Sequence, residues 1–248
     1  MIDGIITVRS QSTRLPEKCF LPFGDSSVIE YVIKRAKYFD INPIVCTTTE
    51  TSDDRIAEIS KRENVRYFRG SVKDKLLRWR DACRVYEIEK FVTIDADDPF
   101  FDGLLSYKSI GLLDKSFDLI KHPRQQPNKG YYEGCVGYSI NLEIIEKACN
   151  LKNTDDTEMM WKFIENVNDA KIGYLEVDDY DIEFPLRLTL DYKEDYWLMC
   201  SILKMLSTFP SRIEILELFT ANPDLYKVNW FRNDEYLESI NNFIDETR

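Results

Sequence analysis

Glycine is scarce, with nine in 248 residues, and no Gly/Ser-rich stretch divides the chain. A flexible linker between independent units is therefore not expected. Histidine is scarcer still. His122 is the only one, so a histidine-activated nucleophile would depend on one loop residue reaching a serine or cysteine. It reads as a surface residue. The six cysteines, at 19, 46, 83, 135, 149 and 200, include no C-x-x-C pair. With a single histidine they make no structural zinc set. Their apolar neighbours, as in Pro43-Ile44-Val45-Cys46, mark buried thiols in a reducing compartment. No apolar run approaches the ~18 residues of a membrane helix. The first residues lack a basic region, a long apolar core and a small-residue cleavage site, so no signal peptide is expected. These absences fit a cytoplasmic protein. The net charge of −11 comes without a concentrated basic face, which argues against nucleic acid as partner. A lone basic helix for an anionic membrane is also missing.

What is present suits a globular fold. Hydrophobic residues at 44% and aromatics at 13% are enough for a sizeable core at this length. Strand patterns over Ile2 to Val8, Pro43 to Thr48, Val65 to Phe68 and Lys90 to Asp95 alternate with helix patterns. Ser26 and Ser27 can cap a helix over Val28 to Ala36. Ser52 can cap one carrying Ile56, Ala57 and Ile59, and a third runs from Lys73 to Tyr86. The alternation predicts an α/β fold, three-layered and Rossmann-like, with a mixed, mostly parallel sheet covered on both faces. Further along, Tyr131 to Ile140, Lys171 to Val177 and Leu186 to Leu190 read as strands. Residues 141–149, 155–167 and Glu194 to Leu206 read as helices. The polar, proline-punctuated loop from Lys121 to Gly130 is expected at a pocket rim or a subunit contact. Residues 1–210 read as one domain, with 211–248 as a helical extension packed on it.

The most informative stretch follows the first strand: Arg9-Ser10-Gln11-Ser12-Thr13-Arg14-Leu15-Pro16-Glu17-Lys18. Arg9, Arg14 and Lys18 supply three cations, and Ser10, Ser12 and Thr13 three hydroxyls. Pro16 stiffens the backbone between them. Ligands of open α/β sheets bind at such strand-to-helix loops, and this one can surround a polyphosphate with charge and donors. Arginine and lysine in a surface loop are commonly just solvated; the position after a strand and the acidic motifs below favour a site.

Two acidic points sit at later strand ends. Thr93-Ile94-Asp95-Ala96-Asp97-Asp98-Pro99 gathers three carboxylates in four residues, which is costly without a cation. A divalent metal with oxygen ligands is one reading, with Mg²⁺ the natural ion. A turn with helix-capping aspartates is the other. Arg187-Leu188-Thr189-Leu190-Asp191 delivers Asp191 at a strand end, either as a ligand or as a helix N-cap. Glu194 and Asp195 read as capping, solvent-facing residues. In Phe68-Arg69-Gly70-Ser71-Val72-Lys73-Asp74-Lys75-Leu76-Leu77-Arg78, Gly70 and Ser71 allow close backbone approach to a base or ribose. Asp74 and Arg78, four apart, are expected to pair with each other.

These motifs together resemble the sugar cytidylyltransferases of the CMP-Kdo synthetase and SpsF-like spore coat type. That family carries A-R-x-x-S-x-R-L-P-G-K where this chain has V-R-S-Q-S-T-R-L-P-E-K. It carries G-D-x-P over Ala96 to Pro99, R-L-T-V-D-T-P-E-D over Arg187 to Asp195, and R-G-S-x-x-D-V-L-x-R over Arg69 to Arg78. The resemblance implies a fold of the glycosyltransferase-A and nucleotidyltransferase type. It implies transfer of CMP from CTP to a small anionic sugar acceptor, Mg²⁺ on Asp97 and Asp191, and a homodimer. Arg14 and Lys18 would hold the β- and γ-phosphates, with Arg9, Ser10, Ser12, Gly70 and Ser71 as further nucleotide contacts. Three departures stand out: Glu17 and Ala96 replace glycines, and Thr154 to Trp161 lacks the histidine of an E-H-V-T segment. Two rival functions are a nucleotide-sugar glycosyltransferase using Asp95-Ala96-Asp97 as its D-x-D motif, and a non-catalytic nucleotide-binding subunit.

Overall fold

Ile5 and Ile6 point to opposite faces of the first strand, and both are fully buried. A strand with no solvent face belongs inside a sheet covered on both sides. The computed structural model, which describes residues 1–122, 131–177, 186–233 and 235, contains that sheet. Strand β1 (Ile2–Thr7) is followed by a small hairpin, β2 (Pro22–Phe23) and β3 (Ser26–Ser27), and helix α1 (Val28–Tyr38). Then come β4 (Ile41–Thr48), α2 (Asp54–Arg62), β5 (Arg66–Gly70), α3 (Lys75–Tyr86), β6 (Lys90–Asp95) and α4 (Gly103–Leu113). The second half holds β7 (Leu119–Lys121), β8 (Ser139–Asn141), α5 (Leu142–Leu151), α6 (Met160–Glu165) and β9 (Ile172–Tyr174). Helices α7 (Lys193–Met205) and α8 (Arg212–Ala221) follow.

The sheet order is β5-β4-β1-β6-β8-β7-β9. Strands β5, β4, β1 and β6 are parallel, β8 runs antiparallel to both β6 and β7, and β9 is parallel to β7. The expected mixed, mostly parallel α/β sheet is therefore present. All strands but β8 present their carboxyl ends at one edge, where open α/β sheets place their ligand crevice. Ile6, Val28, Ile29, Val32, Val45, Leu198, Met199 and Phe219 fill one face; Ile5, Ile44, Trp79, Phe91 and Ile144 fill the other. Helix α8 contributes Ile215, Leu216 and Phe219 to the first face.

Several elements differ from the sequence expectation, each for a local reason. Tyr131 to Ile140 is strand only from Ser139, because Gly134 turns the chain at φ 88° and a side chain at Gly137 would strike the Thr93 carbonyl. Leu186 to Leu190 forms one parallel bridge, Glu133 to Arg187, and no ladder. Its amides bond elsewhere: Leu188 N–H to Glu133 O (2.9 Å) and Leu190 N–H to Asp97 O (2.7 Å). The helix expected from 155 begins only at Met160, since buried Thr157 donates to Asp74 (2.9 Å) and accepts from Leu76 N–H (3.0 Å). Asp74 caps α3 through Leu77 N–H (3.0 Å) and meets Lys152 Nζ, while Arg78 donates to the Ser71 carbonyl (2.6 Å). The expected Asp74–Arg78 pair does not form. The α2 N-cap is Asp53, not Ser52. His122 is half-buried, with Nε2 3.1 Å from the Tyr138 hydroxyl. Residues 123–130 and 236–248 lie outside the described residues.

The capping box of α1 offers a pH test. Ser27 N–H donates to Glu30 Oε2 (2.9 Å). Burial would raise the Glu30 carboxyl, but hydrogen bonds from Ser27 and Arg62 outweigh it and bring the pKa down to about 2. A depressed carboxyl pKa stabilises the fold above the ordinary value of 4.5, and that contribution disappears as pH falls toward 2. Glu30→Ala is expected to lose about 1 kcal/mol at neutral pH. Its stability gap from the parent should close in acid, which thermal unfolding between neutral and acidic pH measures.

Candidate active site

The loop after β1 is built before any ligand arrives. Ser10 N–H and Oγ–H both donate to Asp53 Oδ1 (2.8 and 2.7 Å), and Thr47 Oγ–H and Thr48 N–H donate to Asp53 Oδ2 (3.0 and 3.3 Å). Asp53 is buried, which by itself raises a carboxyl pKa, but the Thr48 hydroxyl, which also donates to Oδ2 (2.5 Å), and the donors from Ser10 and Thr47 hold it below the ordinary range. Ser10, expected as a nucleotide contact, thus uses both donors to tie the loop to the start of α2. Ser12 Oγ accepts at 3.5 Å from Leu15 N–H. Buried Leu15 then anchors the far end.

Glu17 occupies the left-handed region, φ 55° and ψ 25°. A residue with a Cβ is disfavoured there by roughly 1–2 kcal/mol, and glycine is not. The glycine of the resembling motif falls at this position. Glu17→Gly is therefore expected to be tolerated or mildly stabilising. It should also strengthen CTP binding at low salt by removing an exposed negative charge beside the cations. Thermal unfolding and CTP titration at several salt concentrations test this. A large loss of CTP affinity would mean that the Glu17 carboxylate is itself a contact.

Strands β1 and β6 end side by side, with Thr7 paired to Asp95 and Ala96 N–H donating to Thr7 O (3.0 Å). The three carboxylates beyond β6 are separated by environment. Asp97 Oδ2 lies 2.6 Å from Lys18 Nζ. Asp95 Oδ1 lies 3.3 Å from Lys75 Nζ. Asp98 is tucked against Gly134, and burial, with Asp97 and Asp95 close by, pushes its carboxyl well above the usual range. Lys18 and Lys75 so relieve a repulsion that would otherwise oppose folding.

Asp191 brings the distant motif to the same point. Its Oδ1 receives Arg14 Nη2 (2.7 Å) and Lys18 Nζ (3.0 Å), and its Oδ2 receives Arg187 Nη2 (2.7 Å). Burial would raise this carboxyl; Lys18, Arg14 and Arg187 overcome that and hold it below the ordinary value. Conversely, burial would lower the Lys18 ammonium, and Asp97 and Asp191 raise it, so Lys18 stays charged. The Leu190 N–H bond to the Asp97 carbonyl pins the two acidic segments together. Asp195 is fully buried instead of solvent-facing: it accepts from Asp191 N–H and Tyr192 N–H (both 2.9 Å) and from Asn229 Nδ2 (2.8 Å). Glu194 pairs with Arg232 at 3.1 Å.

Arg14, Lys18, Asp97 and Asp191 are thus one group, although their motifs are far apart in sequence. Arg9 lies at the margin, 3.7 Å from Glu158. Gly70 and Ser71 stand apart at the end of β5, two strands from β1. Sequence reasoning did not single out Asp53, Lys75, Glu158 or Arg187. Arg187 carried the strongest signal, as the first residue of the motif that contains Asp191.

The donor set fits a hard divalent cation such as Mg²⁺. Two carboxylates converge on one positive charge, the Lys18 ammonium, and all their donor atoms are oxygen. Among the described residues no group of three or more His, Cys, Asp and Glu side chains forms a metal cage. Phosphate oxygens and waters would have to complete the shell, as is usual for Mg²⁺.

Comparison with known proteins agrees with this architecture. A family model described as cytidylyltransferase matches residues 4–171. The uncharacterized protein MJ1063 of Methanocaldococcus jannaschii is 31% identical over 235 residues, covering 92% of this chain and 94% of that protein. The spore coat polysaccharide biosynthesis protein SpsF of Bacillus subtilis is 24% identical over 235 residues, covering 89% and 94%. Among solved structures, a cytidylyltransferase from Leptospira borgpetersenii serovar Hardjo-bovis superposes with a TM-score of 0.81 at 29% identity, covering 91% of this chain and 97% of that one. The CTP complex of CMP:2-keto-3-deoxy-manno-octonic acid synthetase shares the fold, with a TM-score of 0.62 at 13% identity and coverage of 83% and 99%. No helix among the described residues is long and apolar enough to cross a membrane. With the family match running from β1 to the residue before β9, more than half of the chain, the protein belongs to the cytidylyltransferase family and is a nucleotidyltransferase.

Proposed function

We propose that the protein transfers CMP from CTP to a hydroxyl of an acidic sugar and releases pyrophosphate, in the synthesis of a surface polysaccharide or glycan. The observation that carries this reading is the convergence of Arg14 and Lys18 with Asp97 and Asp191 at the crevice edge of the sheet. In the reaction the acceptor hydroxyl oxygen attacks the α-phosphorus and gives up its proton to water, the bond to the bridging oxygen opposite breaks, and pyrophosphate leaves with the electron pair. Such chemistry depends on positioning and charge neutralisation more than on covalent help. Arg14 and Lys18 hold the β- and γ-phosphates and offset the charge that builds on the leaving group. Asp97 and Asp191 would hold Mg²⁺, which when bound supplies positive charge beside the phosphate oxygens. Arg187 fixes the Asp191 carboxylate from behind. Gly70 and Ser71 face the nucleoside.

The acidic acceptor is supported by the sugar acid named in the fold neighbour and the polysaccharide named in the SpsF relative. We place the enzyme in the cytoplasm, as a homodimer, with 1–210 as the catalytic domain and 211–248 as an extension on it. The test is pyrophosphate release with CTP, UTP, ATP or GTP, Mg²⁺, and a panel of Kdo, N-acetylneuraminic acid and neutral hexoses. Release is expected with CTP and a sugar acid. Release with neutral sugars alone would remove the acidic acceptor, and release with another nucleotide alone would remove CTP.

A further inference from the structure

Lys75 opens α3 and is only 9% exposed. Among the described residues its side chain makes one hydrogen bond, to Asp95 Oδ1 at 3.3 Å. Its other neighbours are the Trp79 ring, 5.1 Å from the ammonium to the centroid, and the Glu158 carboxylate, which attracts the ammonium through space; neither takes a hydrogen bond from it. An ammonium has three donors. A nearly buried cation therefore keeps two N–H groups for a ligand, an arrangement that is costly unless a ligand completes it.

The cations around it each have a partner already, although Arg78 Nε is buried without one. Lys18 is shared by Asp97 and Asp191, and Arg187 is on Asp191. Arg78 donates to the Ser71 carbonyl, and Arg9 meets Glu158 at the margin. The position of Lys75 indicates which substrate it meets. The loop carrying Arg14 and Lys18 follows β1; β4 and β5 lie on one side of that strand, with Gly70 and Ser71. Strands β6 and β8 lie on the other, and Asp95 at the end of β6 draws the Lys75 ammonium to that half. That half also carries carboxylates, which would repel an acid unless a cation with spare donors were present.

We propose that Lys75 binds the carboxylate of the acceptor and so selects acidic sugars. The inference rests on the CMP transfer to an acidic sugar proposed above. The ammonium keeps its contact with Asp95 and gives its remaining donors to the acceptor carboxylate, a charge-assisted contact.

The test compares parent, Lys75→Met and Lys75→Arg in steady-state pyrophosphate release. The acceptors are whichever of Kdo or N-acetylneuraminic acid the parent uses better, and the same sugar with its carboxylate reduced to an alcohol. Lys75→Met should raise KM for the acid by about tenfold or more. KM for CTP should stay within about twofold, because charge-assisted binding is lost only at the acceptor. KM for the alcohol should not rise, and Lys75→Arg should recover part of the loss. Should the Met variant fail to fold, Lys75→Gln supplies the same comparison. An equal rise for acid and alcohol, or a rise for CTP alone, overturns the assignment of Lys75. So does a parent-like Met variant. A parent that uses only neutral sugars overturns the acceptor reading and the role of Lys75 together, and is recognised before any variant is made.

Discussion

Asp191→Asn should lose about 3 kcal/mol of folding stability, or somewhat more, as well as metal-dependent turnover. Asp191 is 3% exposed and carries Arg14, Lys18 and Arg187 on its two oxygens. Asparagine keeps the shape but leaves three cations facing a neutral group. Breaking a buried ion pair from one side is far more costly than its net worth suggests, because the remaining charge stays desolvated. Asp97 is different: its side chain is 30% exposed and, among the described residues, pairs only with Lys18. Asp97→Asn should therefore remove turnover and spare the fold. In turnover the two losses should not add, since one missing ligand already undoes the site. Urea unfolding, and turnover against magnesium concentration for both single variants and the double, would show it. Parent-like stability of Asp191→Asn would contradict the hub; full activity of either variant would contradict the metal assignment.

Lys18→Met should lower kcat/KM for CTP by about 10- to 100-fold, the equivalent of ~1.5–3 kcal/mol for a charge-assisted contact at a shielded site. The variant has a second expected signature. Lys18 stands between Asp97 and Asp191, at 2.6 and 3.0 Å, and without it two carboxylates face each other. A divalent cation can take over that neutralisation. Added Mg²⁺ should therefore raise the Tm of Lys18→Met more than that of the parent. Arg14→Ala should be milder, because the Arg14 side chain is 34% exposed and solvent screens it. Normal CTP affinity and rate in Lys18→Met would show that the loop serves another purpose.

The parts of this site that sequence made visible are those set by position on a strand. Asp97 and Asp191 each follow a β pattern and precede a turn, and Arg14 and Lys18 follow the first strand. A parallel sheet gathers such ends at one edge. The parts that stayed hidden depend on partners from elsewhere in the chain. In the sequence Asp53 is one acid beside Ser52, the expected cap, and only the fold reveals that Ser10 bonds to it across 43 positions. Asp74 and Arg78 have ideal helical spacing for a pair, yet Lys152 and Thr157 reach Asp74 first. The segment from Tyr131 to Ile140 has strand-like residues, and its two glycines are where the chain turns and where it presses on Thr93. Glu17 was legible as a departure in a motif; that it sits at positive φ needed the backbone.

The most direct measurement is a crystal structure with a non-hydrolysable CTP analogue and Mn²⁺, with anomalous data locating the metal. The site described here requires the terminal phosphates within hydrogen-bonding distance of Arg14 and Lys18, and the anomalous peak on both Asp97 and Asp191. A nucleotide bound elsewhere, or a metal held by other residues while Lys18 still bridges the two aspartates, would contradict it.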